Sequence, residues 1–303
     1  MRSAFSKAIV AAAQKDPKVL LLTGDHGYAL FDEFRQHLPN QFINAGIAEQ
    51  NMVGVAAGLA KAGYKPIVYG LSAFVPVRVL EQIKMDVCYE NLPVVFIGDG
   101  AGVVYSSLGS SHQSVEDIAV LRPIPNINIL SPCDAKEMEY VMNYALAFDA
   151  PVYVRMGKSD VGSVHEASIS VPIGGLVPVN TGSNKKFVFL ATGSMVKTAQ
   201  SLAKSLGDFS VWSVPSIKPF DSRHISELAT TAEIIIVLEE HSLVGGLGGM
   251  VAEIVSENSF GAKVIRFGIN DRFSEKCGSY EYLLSEHGIN QETLLEKITL
   301  LLS

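Results

Sequence analysis

Cysteine is scarce in this chain, which has three such residues among 303: Cys88, Cys133 and Cys277. Their odd number and wide spacing exclude a disulfide framework and a close-spaced zinc motif, and they predict a reducing, cytoplasmic compartment. The chain also lacks an uninterrupted apolar run of about 18 residues, so we expect no membrane span. Residues 1–25 lack the layout of a signal peptide, because their apolar residues are spaced helically and interrupted by polar ones.

Clusters of basic residues are missing as well. The chain has 24 Lys and Arg against 31 Asp and Glu, a formal net charge of −7. This balance excludes the electrostatic footprint of a nucleic-acid-binding protein. With 48% hydrophobic and 18% charged residues, the chain has enough apolar content for two ordinary domains.

Short β-branched runs alternate with helical patterns of about 10–15 residues in the first half of the chain. Predicted strands cover 18–25, 65–70, 92–100, 127–132 and 151–157, and predicted helices cover 49–63, 76–91 and 134–148. Such alternation builds a mostly parallel sheet covered by helices on both faces. The predicted fold class is therefore α/β with three layers.

A second α/β series follows a loosely patterned segment. Residues 158–186 are rich in Ser, Gly, Pro and Val, and they read as a linker with one edge strand. Strand and helix patterns then alternate again from residue 186 to residue 269. We predict one three-layer domain over 1–160, a linker over 161–185 and a second three-layer domain over 186–303.

The stretch "IGDG" at 97–100 follows a strand, and Asn126 and Asn128 come about 25 residues later. An Asp and an Asn oxygen suit a hard cation such as Mg²⁺, and glycines allow close approach to phosphate. A tight turn is the commoner explanation of so short a motif. Asn126 also lies between prolines and a strand entrance, which argues against a metal ligand there.

Glu49 opens a predicted helix that is otherwise small and apolar, "EQNMVGVAAGLAKAG". Gly54 and Gly58 leave one face on which another backbone can pack closely. With Asn44 as a possible cap, Glu49 lies in the first turn of the helix. A carboxylate at this position stabilises a helix by about 0.3–1 kcal/mol. Alternatively, burial raises the pKa of such a carboxyl and makes it useful for proton chemistry.

Several ordered motifs together resemble the pyrimidine-binding domain of the transketolase family, which includes 1-deoxy-xylulose-5-phosphate synthases. They are "INAGIAEQNMVGVAAGLAKAGYKPIVYGLSAF", "LPVVFIGDGAG", "SSHQSVEDIAVLRPIPN" and "PVYVRMGKSD". The segment "VLEEHSLVGGLGGMVAEIV" resembles the C-terminal domain of that family. Full-length members carry a further N-terminal domain that binds diphosphate and magnesium. The resemblance therefore implies one subunit of a split, two-component enzyme, and it places "GDG" in the wrong domain for the metal.

The resemblance also implies roles at the cofactor. Glu49 matches the family glutamate that contacts N1′ of the aminopyrimidine of thiamine diphosphate, and the neighbouring Ile47 is expected to touch the cofactor. Phe74, in "GLSAF", matches the aromatic residue that packs on the pyrimidine ring. From the residues alone, Phe74 is equally well explained as a core side chain. His26 is a weaker candidate for the cofactor edge.

Substrate contacts are implied for three further residues. His112, in "SSHQ", is expected to hold a sugar oxygen or transfer a proton. Arg155, at a predicted strand end, is expected to bind a substrate phosphate, with Lys158 as a helper. Ser107 stands near the place where family members have an Asp, so an acceptor-binding carboxylate is missing. Without the resemblance, His112 reads as a loop histidine and Arg155 as a surface ion pair.

We therefore expect the C-terminal subunit of a thiamine-diphosphate-dependent transketolase-like enzyme. It is expected to form a homodimer core and to pair with two N-terminal subunits that hold Mg²⁺, giving an α2β2 assembly. The expected reaction moves a two-carbon ketol or acyl unit from a ketose or keto acid to an aldehyde. The segment with Glu239, Glu240 and His241 is assigned to the C-terminal domain without a catalytic role. Two alternatives stay open: the β subunit of a 2-oxo acid dehydrogenase, and a non-catalytic scaffold that kept the fold.

Overall fold

The computed structural model describes residues 1–302 as two sheets flanked by helices. The strands of the first part are β1 (Val19–Thr23), β2 (Phe42–Asn44), β3 (Lys65–Leu71), β4 (Val95–Asp99), β5 (Asn128–Leu130) and β6 (Val152–Met156). Its helices are α1 (Arg2–Lys15), α2 (Asp32–His37), α3 (Glu49–Lys61), α4 (Leu80–Gln82), α5 (Asp117–Leu121) and α6 (Ala135–Ala147).

The second part continues the alternation of strands and helices. Its strands are β7 (Val177–Asn180), β8 (Asn184–Ala191), β9 (Phe209–Ser213), β10 (Ser216–Lys218), β11 (Ile234–Ser242) and β12 (Lys263–Ile269). Its helices are α7 (Met195–Leu206), α8 (Ser222–Thr231), α9 (Leu247–Glu257), α10 (Tyr280–Glu286) and α11 (Gln291–Leu302).

Both sheets are mostly parallel, which confirms the predicted α/β fold class. The first has seven strands in the order β10-β5-β6-β4-β3-β1-β2, and the second has five in the order β12-β11-β8-β9-β7. Each sheet has one antiparallel edge strand, β10 in the first and β7 in the second. The strand β10 comes from the second part of the sequence but pairs with β5 of the first sheet. The two sheets are thus linked by main-chain hydrogen bonds as well as by the connecting segment.

Apolar side chains fill both faces of each sheet. In the first domain α1 and α6 cover one face through residues such as Phe5 and Val141, and α3 covers the other through Met52 and Val53. In the second domain α7 and α11 cover one face and α8 and α9 the other. The core beneath α3 is continuous with the core beneath α8 and α9. This shared core holds the two domains together.

The segment predicted as one helix over 76–91 is irregular in the structure. It begins with a 3-10 turn at Val77–Val79, continues as α4 and ends as a π-helical turn at Ile83–Cys88. A π-helical turn inserts one extra residue per turn, so it changes which side chains face the sheet, and such turns are frequent at functional sites. The apolar pattern here predicts a helical segment but not its winding.

Several elements were not predicted. The pairing of β2 and β10 depends on distant strands, and α2 and α10 are too short for a clear helical period. The edge strand predicted within the linker segment is confirmed, because β7 lies at the edge of the second sheet. Asn44 does not cap α3, because its Oδ1 accepts from Gly46 N and the N-cap position belongs to Ala48. Among residues 1–302, no helix is long and apolar enough to cross a bilayer.

Candidate active site

Glu49 is the first residue of α3 and its carboxylate is buried. The side chain is 5% exposed, and it lies beneath the loop that follows β1. A Cβ atom at Gly24 in that loop would lie 3.2 Å from Gly46 O and 3.9 Å from Glu49 Cγ, so a side chain there would crowd the approach to Glu49. The structure therefore gives the carboxylate a sheltered position at the carboxyl end of the parallel strands, where ligands bind in open α/β sheets.

Arg78 is the partner of this carboxylate. Its Nη1 lies 3.4 Å from Glu49 Oε1 and 3.5 Å from Oε2, and its guanidinium carbon lies 3.9 Å from the ring centroid of Phe74. The Arg78 side chain is 49% exposed. Sequence reasoning missed this residue, although it is the only basic side chain between Phe74 and Lys84 in an apolar segment.

Two histidine rings lie around Phe74. The ring of His112 meets it edge-on with centroids 5.3 Å apart, and the ring of His26 is 6.4 Å away. His112 Nδ1 is 3.0 Å from Ser111 Oγ, whereas His26 Nε2 is buried without a hydrogen-bond partner. Thr23 fixes the His26 backbone, since its Oγ1 donates to His26 O and accepts from His26 N. The structure thus brings Glu49, Phe74, His112 and His26 to one place.

Ile47 and Ser107 lie at the surface. Ile47 precedes α3 and is 78% exposed, while Ser107 is an exposed residue of the 3-10 turn Ser106–Leu108. No hydrogen bond of the described side chains involves either residue at the site. Their predicted contacts with cofactor and substrate stay predictions.

A cavity of about 280 Å³ borders His26 on the side of the N-terminal helix. Its polar lining includes Asp99, whose Oδ2 accepts from Arg2 Nη2 at 2.5 Å, Tyr69 Oη at 2.7 Å and Tyr105 Oη at 3.2 Å. Burial and the nearby Asp99 raise the pKa of Tyr105 to about 12, so its hydroxyl remains a donor at neutral pH. The cavity therefore offers several hydroxyl and charged groups beside the histidine.

The "GDG" aspartate and the two asparagines do not converge. Asp99 is held by Arg2, Tyr69 and Tyr105, whereas Asn126 Nδ2 donates to Cys88 O and Asn128 Nδ2 to Pro151 O. These three side chains therefore bond to separate partners and do not form one cluster.

Arg155 is buried between the two domains, and its expected contact with a substrate phosphate stays a prediction. Its side chain is 2% exposed, and Nε donates to Asp117 Oδ2 at 2.8 Å. Nη2 donates to the carbonyl oxygens of Ser114 and Glu240. The guanidinium thereby joins the loop after His112 to the second domain. Lys158 pairs with Asp160 at 2.9 Å.

The segment Glu239 to His241 also joins the two domains. Glu240 accepts from Val103 N at 2.8 Å and from Tyr280 Oη at 2.6 Å, and Glu239 accepts from two backbone N–H groups at the start of α9. Burial raises the pKa of Glu239 to about 7 and lowers the pKa of His241 to about 4. His241 is therefore neutral, with Nε2 free to accept from Ala119 N. These contacts tie the segment to both domains.

Comparison with known proteins identifies the family. Residues 1–163 match the family model "Transketolase, pyrimidine binding domain" and residues 177–294 match "Transketolase, C-terminal domain". The chain therefore belongs to the transketolase family. The fold and the buried Glu49 beside Phe74 agree with the pyrimidine-binding assignment.

Relatives of similar length are subunits rather than whole enzymes. The chain is 35% identical to one subunit of the apulose-4-phosphate transketolase of Phocaeicola vulgatus, over 96% of this chain and 94% of that one. It is 33% identical to a solved structure described as "Split gene transketolase, inactive beta4 tetramer", with a TM-score of 0.87 over 98% and 96% of the two chains. It is 35% identical to 1-deoxy-D-xylulose-5-phosphate synthase of Dictyoglomus thermophilum, but it spans 48% of that protein. The resemblance to the C-terminal subunit of a split transketolase family enzyme is thus confirmed, and the matches do not favour a 2-oxo acid dehydrogenase or a scaffold.

Proposed function

We propose that this chain and a separate N-terminal subunit together transfer a two-carbon ketol unit from a ketose to an aldehyde, with thiamine diphosphate as cofactor. The transfer breaks one carbon–carbon bond in the donor and forms one in the product, so no oxidant is consumed. The observation that carries the proposal is the sheltered carboxylate of Glu49 beside the half-buried ring of Phe74. A buried acid next to an aromatic face is suited to a flat, nitrogen-containing ring.

The residues present fit the pyrimidine half of thiamine diphosphate. Glu49 supplies an acid close to Phe74. These two residues already contact one flat, hydrogen-bonding group together, the guanidinium of Arg78. His26 adds a buried ring nitrogen without a protein partner. We assign the diphosphate and Mg²⁺ to the N-terminal subunit, because Asp99 and the two asparagines of the "GDG" pattern are each used elsewhere.

Each residue has one task in this proposal. Thiamine diphosphate, when bound, supplies the electron sink for breaking the carbon–carbon bond. Glu49 holds a proton at the pyrimidine nitrogen N1′, and its shelter from water strengthens that hydrogen bond. Phe74 packs against the pyrimidine ring. His112 holds a substrate oxygen or moves a proton at a substrate hydroxyl.

The cavity beside His26 is our candidate for the sugar. Its lining of Arg2, Asp25, Tyr69, Asp99 and Tyr105 is rich in hydroxyl and charged groups, as recognition of a polyhydroxylated chain requires. The carboxylate that family members carry near the position of Ser107 is absent here. In this proposal the side chains that line the cavity therefore select the substrate.

We further propose a homodimer core that pairs with two N-terminal subunits. The relative described as an inactive β4 tetramer supports the need for a second kind of subunit. On α3, Gly54 and Gly58 are exposed, and a Cβ atom at either position would meet nothing within 4 Å. This face accepts a closely packed partner copy. Three unpaired cysteines support a reducing, cytoplasmic compartment.

The test replaces Glu49 by Gln in the complex reconstituted from both subunits. We expect at least a roughly hundredfold loss of kcat, a size typical for the removal of one proton-transferring group. Glu81→Gln, a change at an exposed position near Arg78, is the matched control and is expected to keep full activity. The chain alone is expected to show no turnover. Full activity of the Glu49→Gln complex, or ketol transfer by the lone chain, would overturn the proposal.

A further inference from the structure

The loop that carries His112 is supported from behind by the second domain. The segment between β12 and α10 packs against it: Gly278 N donates to Ser106 O at 3.4 Å, and a Cβ atom at Gly109 would lie 3.1 Å from Cys277 Sγ. The loop therefore runs between the candidate active site on one side and the second domain on the other.

A short chain of hydrogen bonds links this loop to α10. Ser274 Oγ donates to Gln113 Oε1 at 2.8 Å and lies 2.9 Å from His287 Nε2. A serine hydroxyl has a single proton, and here Gln113 receives it, so His287 Nε2–H donates to Ser274 Oγ. Burial and the neighbouring Arg272 lower the pKa of His287, which agrees with a neutral ring that has one proton to donate.

We propose that Ser274 and His287 position His112 through Gln113, so that the second domain sets the orientation of a residue in the active site. This inference rests on the role of His112 in the proposed function. Gln113 directly follows His112 and is 8% exposed. Within residues 1–302, the His112 ring has Ser111 Oγ as its hydrogen-bonding neighbour and Phe74 as its aromatic neighbour. The backbone on either side of His112 therefore determines where its ring points.

Within residues 1–302, the Gln113 amide is held by one side-chain hydrogen bond, from Ser274, because its Nε2 is buried without a hydrogen-bond partner. A cavity of about 440 Å³ borders Gln113, Ser274 and His287 between the two domains. Apolar neighbours therefore do not enclose the amide on that side. Loss of the hydrogen bond from Ser274 is therefore the change that gives Gln113 most freedom to move. A misplacement of a catalytic group by about 1 Å can lower the rate by up to about a hundredfold.

The first test follows the His112 ring directly by NMR of the chain labelled with ¹³C-histidine. The seven histidines give separate ring signals, and loss of one signal in His112→Gln identifies the signal of His112. We expect Ser274→Ala to shift the His112 signal. Ser274→Thr keeps the hydroxyl and is expected to restore the wild-type signal. Ser285→Ala, at an exposed position of α10, is the matched control. A His112 signal in Ser274→Ala that coincides with the wild-type signal would overturn the proposal.

The second test measures activity of the complex formed with the N-terminal subunit. We expect Ser274→Ala to lower kcat about tenfold, with unchanged affinity for thiamine diphosphate and an unchanged melting temperature. Unchanged kcat in Ser274→Ala would overturn the positioning role. If His112→Gln itself is fully active while the NMR shift is present, the link to the second domain stands and the catalytic role of His112 falls. A failure of the link through Ser274 and a failure of the catalytic role of His112 therefore give different results.

Discussion

Arg78 stacks on Phe74, with its guanidinium carbon 3.9 Å from the ring centroid. The same guanidinium reaches both oxygens of Glu49 at 3.4–3.5 Å. It therefore contacts the two residues that we assign to the pyrimidine ring of the cofactor. A cation–π contact at an exposed site contributes about 0.5–1 kcal/mol, and a half-exposed ion pair screened by water contributes about 0–1 kcal/mol. Arg78 is held weakly enough to be displaced.

Replacing Arg78 by Ala is expected to tighten the binding of thiamine diphosphate to the assembled complex by up to about tenfold. In the wild type, the cofactor must first break the contacts of Arg78 with Phe74 and Glu49, which costs on the order of 1 kcal/mol. The variant lacks these contacts, so the cofactor binds without this cost. Isothermal titration calorimetry measures the change. Arg35→Ala is the matched control, because Arg35 lies over the rings of Tyr28 and Phe42. Weaker binding in Arg78→Ala would show that the arginine helps to hold the cofactor.

Breaking the buried pair of Arg155 and Asp117 is expected to destabilise the fold. Arg155→Met leaves the Asp117 carboxylate without its charged partner, and such losses cost about 3–5 kcal/mol. Urea unfolding followed by circular dichroism measures the free energy of unfolding. Adding Asp117→Leu is expected to recover much of the loss, because no unpaired charge then remains.

The surface pair of Arg223 and Asp221 supplies the control for this experiment. Arg223→Met is expected to change stability little, because that arginine is 84% exposed. If Arg155→Met instead leaves stability intact and raises the KM for a phosphorylated acceptor alone, the expected phosphate contact of Arg155 would be supported.

His165 predicts a pH-dependent contribution to stability. Burial lowers its pKa, but the hydrogen bond to Glu137 at 2.9 Å and the charges of Glu137 and Asp134 outweigh burial and raise it. A raised pKa in the folded state means that this stabilisation is fully present below about pH 6.5 and is lost as the pH rises through the folded-state pKa. We expect the stability difference between the wild type and His165→Gln to be largest near pH 6 and to shrink towards pH 9.

Thermal unfolding of both proteins across this pH range measures that difference. His37→Gln changes an exposed histidine on α2, and we expect its stability difference from the wild type to vary little with pH. A difference for His165→Gln that grows with rising pH would contradict the ion pair with Glu137.

The sequence predicted those features that depend on short segments. Runs such as "VLLLT" and "VYVRM" predicted buried parallel strands, since their β-branched and apolar residues continue without alternation. The small and apolar residues that follow Glu49 predicted the helix α3 with Glu49 in its first turn. The helix α11 was missed although Leu294 and Ile298 are spaced four residues apart and both are buried. That pattern was available in the sequence.

The sequence did not predict contacts between distant segments. Arg155 stands at a strand end, as expected, but Asp117 reaches it from 38 residues away and encloses it. Ser274 meets Gln113 across 161 residues. Arg78 reaches Glu49 through a segment whose helical winding changes from 3-10 to π. In each case the side chain's role depends on three-dimensional packing, which local residue patterns do not specify.

The strand β10 limits how this chain can be divided. Residues Ser216–Lys218 belong to the second half of the sequence, yet they cover the edge of the first sheet at β5. A fragment that stops at the connecting segment would expose the backbone N–H and C=O groups of Asn128–Leu130, an open edge that invites pairing with other chains. The smallest portion that recombination can move intact between proteins is therefore the pair of domains.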